Sequence, residues 1–208
     1  MRLHCYAAPM PRQVDTTARR REIAFGVLQV MTAKDISAVS LRSVAAAAGV
    51  SMGRVQHYFA TKDELIEHAC RTITELAEEN FRAVADATAL EQLRHLLLQA
   101  LPHSDDQRRG LSAWYMFTTA APSHPGLAAI MADAWTGQHR QLVALLAEID
   151  PQLDRAERDR RAQTLAATVD GLNLRLMLDT ITTEQATTVV NNLVAELVTP
   201  AEPGRKPD

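Results

Sequence analysis

The segment from residue 40 to residue 62 constrains the fold of this chain more than any other stretch of its sequence. It predicts two short helices joined by a tight turn. Ala45 is small enough for two helices to approach closely, and Gly49 can adopt the left-handed conformation that ends a helix. Ser51 follows, and its hydroxyl can cap the next helix. Such a pair is the unit that places a helix in the major groove of DNA.

Each of the two predicted helices has one apolar face. In the first, which Ser40 can cap, the apolar side chains recur at helical spacing at Leu41, Val44, Ala45 and Ala48. In the second, Val55 and Phe59 lie four residues apart and form the buried face. The opposite face of this second helix carries Met52, Gly53, Arg54, Gln56, His57 and Tyr58. A helical hairpin inside an ordinary bundle is the alternative interpretation of the same pattern.

The residue types on the exposed face suggest individual roles at DNA. Gln56 can bond to adenine, and Arg54 can bond to guanine or to a phosphate. His57 and Tyr58 suit phosphates, which fix the register of a protein on the duplex. Arg42, on the first helix, can reach the DNA backbone or a base. The predicted DNA-binding residues are Ser40, Arg42, Ser51, Met52, Gly53, Arg54, Gln56, His57, Tyr58 and Lys62.

The charge of the chain is divided unevenly. Residues 1–62 carry nine Lys or Arg and three Asp or Glu, a net charge of +6, whereas residues 63–208 carry 13 and 22, a net charge of −9. This division is typical of a basic DNA-binding domain joined to a separate regulatory domain. Arg19, Arg20 and Arg21 crowd the start of the first predicted helix, where the helix dipole disfavours them and a phosphate partner would explain them.

The composition excludes several classes of protein. Of the 208 residues, 47% are hydrophobic and only 4% are aromatic, which together with few glycines favours an all-α fold. No run approaches the roughly 20 apolar residues of a membrane span. Residues 1–11 hold no apolar stretch long enough for a signal peptide, and two cysteines make no disulfide framework, so we expect a cytoplasmic protein. Met10 is a second candidate for the first residue.

Helix signals continue on both sides of the motif. Thr61 and Glu64 form a predicted capping box, which opens a long helix that ends near residue 86. Proline-containing breaks separate the remaining apolar stripes. The other predicted helices cover about 17–33 before the motif and about 89–101, 107–121, 125–149, 154–179 and 184–198 after it.

The residues of the N-terminal part resemble a known family. Gly49-Val50-Ser51, His57-Tyr58-Phe59 and Thr61-Lys62-Asp63-Glu64-Leu65 follow a first helix, as they do in the TetR family of bacterial transcriptional repressors, which this chain resembles. The resemblance is dense over residues 17–66. In the C-terminal part, Asp170-Gly171-Leu172 followed by Leu174-Arg175 resembles the BetI-like branch of that family.

The resemblance implies a nine-helix protein that binds a palindromic operator as a homodimer and releases it when a ligand binds. It also implies that His57 and Tyr58 contact DNA, that Gly53 permits close backbone approach, and that Lys62 grips a phosphate with its helix N-terminus. The family usually has a glycine near residues 34–36, where this chain has none. The recognition helix varies within the family, so the operator sequence stays open.

The predicted fold is therefore all-α, with an N-terminal three-helix helix-turn-helix domain and a C-terminal helical ligand-binding and dimerisation domain, about nine helices in all. We expect a flexible arm over residues 1–15, the DNA-binding domain over 16–62, the second domain over 63–198, and a disordered tail over 199–208.

The last two predicted helices carry long apolar stripes and are expected to form a four-helix interface with a second copy of the chain. The predicted dimer residues are Leu165, Val169, Leu172, Leu176, Val190, Leu193 and Leu197. The alternative is that both stripes pack inside their own domain.

Aromatic side chains are concentrated in the middle helices and predict a pocket there. A helix-lined pocket of aromatic and Met side chains would accept a flat or cationic apolar ligand, oriented by a few polar groups. The predicted ligand-binding residues are Trp114, Phe117, Met131, Trp135, His139, Asp170 and Asn173. The alternative is that these aromatic residues belong to an ordinary core.

Together these patterns predict a ligand-responsive DNA-binding transcriptional regulator, a repressor rather than an enzyme. The sequence has no glycine-rich phosphate loop, no nucleophile elbow and no H-E-x-x-H spacing among its seven histidines, and we expect no cofactor and no metal. The expected partners are a double-stranded DNA operator, a small-molecule effector and a second copy of the chain, and no membrane. The alternatives are a DNA-binding activator or architectural protein without a ligand, and a helical protein-interaction module.

Overall fold

A computed structural model describes residues 16–198, and within this range the fold is all-helical, as predicted. The predicted arm over 1–15 and tail over 199–208 lie outside the described residues. Nine α-helices follow one another: α1 (Thr16–Ala33), α2 (Leu41–Ala47), α3 (Met52–Tyr58), α4 (Lys62–Arg82), α5 (Ala89–Leu98), α6 (Asp105–Ala120), α7 (Pro125–Ile149), α8 (Arg155–Met177) and α9 (Thr183–Val198). None of them is both long and apolar enough to cross a bilayer.

The turn between α2 and α3 has the geometry that its sequence predicts. Gly49 has a φ of 65°, in the left-handed region. The N–H of Val50 donates to the carbonyl of Ala45 at 3.0 Å and that of Gly49 to the carbonyl of Ala46 at 3.4 Å, which is the Schellman pattern of a helix end. Ser51 then caps α3, because its hydroxyl accepts from the N–H of Arg54 at 3.2 Å.

The first turn of α4 differs in one bond from the predicted capping box. The hydroxyl of Thr61 accepts from the N–H of Glu64 at 3.1 Å, as expected for an N-cap. The Glu64 carboxylate, however, accepts from the N–H of Ala60 at 2.7 Å, one residue before the N-cap. Its bond therefore ties the end of the α3–α4 connection to α4.

Asp35 lies in the segment before α2, where the family that this chain resembles usually has a glycine. The Asp35 carboxylate accepts from the backbone N–H groups of Ser37 at 2.6 Å and Ala38 at 3.1 Å and so caps a short 3₁₀ turn. A side-chain hydrogen bond from Ser37, together with the backbone hydrogen bonds from Ala38 and Ser37, holds the pKa of Asp35 below its ordinary value. The backbone at Asp35 is extended, so no glycine is needed there.

The three arginines of α1 have partners within the protein, which explain the basic start of the helix without a phosphate. Arg19 pairs with Glu22 one turn along the same helix. Arg20 stacks over the Phe59 ring, with its guanidinium carbon 4.8 Å from the ring centroid. Arg21 reaches α4, where it pairs with a glutamate, Glu79, at 2.9 Å. Arg20 and Arg21 thus connect α1 to neighbouring elements, while the Arg19 pair lies within α1.

Two hydrophobic clusters form the core, and α7 contributes to both. We call α1 to α3 the head and α4 to α9 the body. The first cluster joins the head to α4 and continues through Phe117 on α6 into Leu127 and Met131 on α7. The second holds α5, the C-terminal half of α7, α8 and α9 together. The head therefore shares its core with the N-terminal end of α7, while the other end of α7 belongs to the body.

Most of the predicted dimer residues face the chain's own core instead of its surface. Five of them, Leu165, Val169, Leu172, Leu176 and Val190, are buried within the chain's own second cluster. Leu193 and Leu197 are half-buried against the same cluster. These stripes pack α8 and α9 onto α5 and α7. The sequence could not show this, because an apolar periodicity identifies a buried face but not the helix that covers it.

Replacing either of two glycines in the head by alanine is expected to change the free energy of unfolding, in opposite directions. Gly49→Ala places a Cβ in the left-handed region and should lower the free energy of unfolding by about 1–2 kcal/mol. Gly53→Ala adds a methyl group to open space on helix α3 and should raise it by up to about 1 kcal/mol. Urea denaturation of both variants measures the difference, and a shift of the same sign in both would contradict the assigned turn.

Candidate DNA interface and effector cavity

Helix α3 lies on the head with one face buried and the other open. Val55 and Phe59 are buried and anchor it. Most of the predicted contact residues on α3 are exposed, and Tyr58 is half-buried, with its ring 5.1 Å from that of His57 in an edge-to-face arrangement. The exposed set is Met52, Gly53, Arg54, Gln56 and His57.

The cationic groups beside α3 differ in how they are held. Within residues 16–198, neither Arg42 nor Arg54 forms an ion pair, and both are exposed. Lys62 donates from its Nζ to the carbonyl of Ser37 at 2.9 Å, which ties the N-terminus of α4 to the turn before α2. An ammonium group and the free N–H groups of a helix start thus lie together, an arrangement that favours an anion.

The two predicted serines already have structural roles. Ser40 caps α2 in a capping box with Ser43, whose hydroxyl accepts from the N–H of Ser40 at 2.9 Å. Ser51 caps α3. A contact from either hydroxyl to DNA would therefore share an oxygen that already accepts a backbone hydrogen bond.

A cavity of about 420 Å³ lies in the body between α4, α5, α6, α7 and α8. Four of the predicted ligand-binding residues line it, namely Trp114, Trp135, Asp170 and Asn173. The indole rings of Trp114 and Trp135 meet edge to face, with centroids 5.9 Å apart and planes at 85°. The size of the cavity is in the range of small-molecule sites.

Three predicted pocket residues lie elsewhere, which corrects their assignment. Phe117 and Met131 are buried in the first core cluster, between the head and the body. His139 turns towards α8, where its Nε2 lies 3.1 Å from an oxygen of Asp159. Each is on a helix that lines the cavity, but on a face that meets another neighbour.

The polar wall on α8 is partly shielded from water. Desolvation raises the pKa of the Asp170 carboxyl above its ordinary value. The Tyr115 hydroxyl donates to the backbone carbonyl of Asp170 at 2.9 Å, and desolvation together with that carboxylate raises the pKa of Tyr115. Asn173, one turn further along α8, is buried. This face of α8 therefore presents a carboxylate and a carboxamide to the cavity.

Several lining residues carried no signal in the sequence. Gln99 follows the last residue of α5, and Asp133 and Gln138 lie on α7. Single polar residues on amphipathic helices are usually solvated, so only the tertiary arrangement identifies them as cavity residues. Among the described residues, no cluster of His, Cys, Asp or Glu has the geometry of a metal site.

The start of α7 contacts the start of α4. His124 caps α7 by accepting from the N–H of Leu127 at 3.4 Å, and its Nε2 lies 3.3 Å from an oxygen of Asp63. The carboxylate of Glu67 occupies the space beside Gly126, where a Cβ would overlap it. Helix α7 therefore extends from the base of the head to the cavity wall at Trp135.

A basic helix-turn-helix head joined to a helical body with a cavity is typical of a DNA-binding transcriptional regulator. Residues 28–69 match the family described as bacterial regulatory proteins of the tetR family, and residues 89–199 match the C-terminal part of BetI-type transcriptional repressors. The chain belongs to the TetR family of transcriptional regulators. It is a regulator of transcription and not an enzyme, as predicted.

Named relatives and solved structures agree with this placement. The transcriptional regulator PksA of Bacillus subtilis is 33% identical over 83% of this chain and 85% of its own, and BetI of Paraburkholderia phymatum is 30% identical over 89% and 95%. A transcriptional regulator from Rhodococcus superposes with a TM-score of 0.76 at 28% identity, covering 86% of this chain and 95% of its own. The multidrug binding protein EbrR, solved with ethidium, has a TM-score of 0.57 at 29% identity, covering 84% and 97%.

Lys62→Ala is expected to weaken binding to operator and random DNA alike. Loss of one phosphate contact should reduce the slope of log affinity against log salt by about one. Arg71→Ala, an exposed charge further along α4, removes the same charge away from the head and is the matched control. Fluorescence anisotropy across a salt series measures both slopes, and equal slopes in the two variants would contradict the phosphate contact.

Proposed function

We propose that this chain is a repressor that binds a palindromic operator as a homodimer in the cytoplasm and leaves it when a small organic ligand fills the cavity. The observation that carries this proposal is the path of α7. At one end it packs in the core of the head and against α4, and its middle turns line the cavity. A ligand that moves α7 would therefore move the head.

The proposed roles of the two domains are those predicted from the sequence. The domain over 16–62 reads DNA, with Gln56 and Arg54 at base edges and His57 and Tyr58 at phosphates. The domain over 63–198 binds the ligand and the second copy. Met52, Gly53, Ser40, Ser51 and Arg42 complete the surface that would face the duplex.

Selection of bound sequences from random DNA by the purified protein tests the operator part of the proposal. Two half-sites related by a two-fold axis are expected, because a symmetric dimer reads each half in the same way. Enrichment of a single unrepeated half-site, or of no sequence, would contradict a dimeric repressor.

Gln56→Ala should relax the preference at one base pair of the selected operator, at a cost of about 1–3 kcal/mol for the preferred base. Gln29→Ala, an exposed glutamine on α1, is the control and should leave the preference unchanged. Competition binding against single-base operator variants measures both. Equal weakening on the operator and on random DNA would show that Gln56 does not read a base.

For the dimer we propose the outer faces of α8 and α9. Leu174, on α8, is 52% exposed, and Leu178, which follows the last residue of α8, is 67% exposed. Val189, on α9, is also exposed. Gly171 lies on the same stripe of α8, with open space where a Cβ would stand, so a partner helix can approach there closely. The inner stripes hold the two helices in place, and the outer ones are free to pair.

Leu174→Arg should shift the protein from dimer to monomer by at least about tenfold in the dissociation constant, since it would bury an unpaired charge in the interface. Leu90→Arg, at another exposed leucine, on α5, is the control. Sedimentation equilibrium measures both, and a variant Leu174→Arg that stays as dimeric as Leu90→Arg would exclude this face.

Ligand response is supported by the relatives and by the cavity. EbrR, a structural neighbour, is described as a multidrug binding protein and was solved with ethidium. In this chain, Trp114 and Trp135 are the only two tryptophans and both line the cavity, so intrinsic fluorescence reports its occupancy. A compound that changes this fluorescence should lower operator affinity. If operator affinity never changes with occupancy, an activator or architectural protein without a ligand response is the better description.

A further inference from the structure

We propose that the cavity binds an organic cation that carries N–H donors, such as a primary or secondary ammonium or an amidinium, on an apolar body. The inference rests on the proposed function, because it names the class of effector for the same cavity. It distinguishes such a cation from a quaternary ammonium, which has positive charge but no N–H to donate.

The charge of the cavity wall favours a cation. Asp133 and Asp170 line it, and within the described part of the chain neither carboxylate has an ion-pair partner. Glu78 also lines it and pairs with Arg82, an arginine outside the wall. No Lys, Arg or His is among the lining residues from 73 to 173. A ligand cation would therefore meet unpaired carboxylates and no competing positive charge.

Two carboxamide oxygens in the wall lack a hydrogen-bond donor. The side chain of Asn173 is only 5% exposed, and its Oδ1 accepts no hydrogen bond in the described structure. The Oε1 of Gln99, a lining residue at the C-terminal end of α5, is buried and also without a donor. A buried acceptor without a donor lowers stability, so a ligand that brings N–H groups gains hydrogen bonds that a ligand without them cannot form.

The tryptophan pair is arranged unlike an open cage for a quaternary ammonium. Such cages present ring faces to the cation. Here the edge of one indole covers the face of the other, at a centroid distance of 5.9 Å and an interplanar angle of 85°. The tryptophan pair would therefore contact the apolar body of the ligand. Asp170, Asn173 and Gln99 would bind its charged end and set the specificity for it.

These features predict where the charged end and the apolar body of the ligand lie in the cavity. Asp170 and Asn173 lie three residues apart on α8 and so share one face of the helix, where one ammonium or amidinium can donate to both. The apolar body extends towards Trp114 and Trp135. A site built to receive hydrogen bonds rejects an analogue that lacks the donor more strongly than one that merely differs in size.

Three matched probes test the assignment: phenylbutylammonium, phenylbutyltrimethylammonium and phenylbutanol, each titrated against the full-length protein by tryptophan fluorescence and calorimetry. The primary ammonium should bind at least about tenfold more tightly than either analogue, because only it has both charge and N–H donors. Equal or tighter binding of the trimethyl compound would overturn the proposal, as would no binding of the primary ammonium at millimolar concentration.

Two variants and one control locate the interaction. Asp170→Asn and Asn173→Leu should each reduce the preference for the primary ammonium over the trimethyl compound by about tenfold. Asp86→Asn removes a carboxylate in the turn after α4, away from the cavity, and should leave that preference unchanged. An unchanged preference in both cavity variants would overturn the assignment of the charged end.

A second readout separates this inference from the proposed function. The affinity of the protein for its selected operator is measured with each probe at saturation. If the primary ammonium binds preferentially but operator affinity is unchanged, the ligand class stands and ligand-controlled release fails. If the trimethyl compound binds as well and also lowers operator affinity, release stands and the N–H requirement is overturned.

Discussion

The packing of α7 and α4 against the head is the contact on which the rest of this structure depends. Phe117, Leu127 and Met131 extend the core of the helix-turn-helix unit into the body, where a self-contained head would have a polar surface. Because protein interiors are close-packed, a shift of α7 cannot be absorbed at this junction without moving its neighbours. The capping of α7 by His124, beside Asp63 at the start of α4, adds a polar contact to the same junction.

The cavity and the DNA surface are complementary in charge to their proposed partners. The head is basic and exposes Arg42 and Arg54 without intramolecular ion pairs among the described residues. The cavity has carboxylates and unpaired amide oxygens. The cavity amide oxygens are buried without a donor, which stability alone does not explain. The two arginines of the head are exposed and have no ion-pair partner among the described residues. The anionic duplex and an N–H cation would each satisfy one set.

The sequence predicted the parts of the structure that local physics decides. Gly49, Ser51 and Thr61 act through the nearest few residues, so the turn and the caps could be identified, and spacing also identified the buried faces of α2 and α3. The sequence could not show which helix a face meets. Phe117 was therefore predicted in the pocket and lies in the core, and Leu176 was predicted in an interface and packs within its own chain. The cavity amides required the tertiary structure.

We propose that filling the cavity changes the separation of the two heads of a dimer. Ala46 is exposed on α2, so a spin label can be attached there in an Ala46→Cys variant in which Cys5 is replaced by serine. Pulsed electron paramagnetic resonance then measures the distance between the two labels of a dimer. Cys70 can stay, because burial raises the pKa of its thiol to about 12 and keeps it unreactive. We expect phenylbutylammonium to shift this distance as operator affinity falls. An unchanged distance while the operator is released would contradict it.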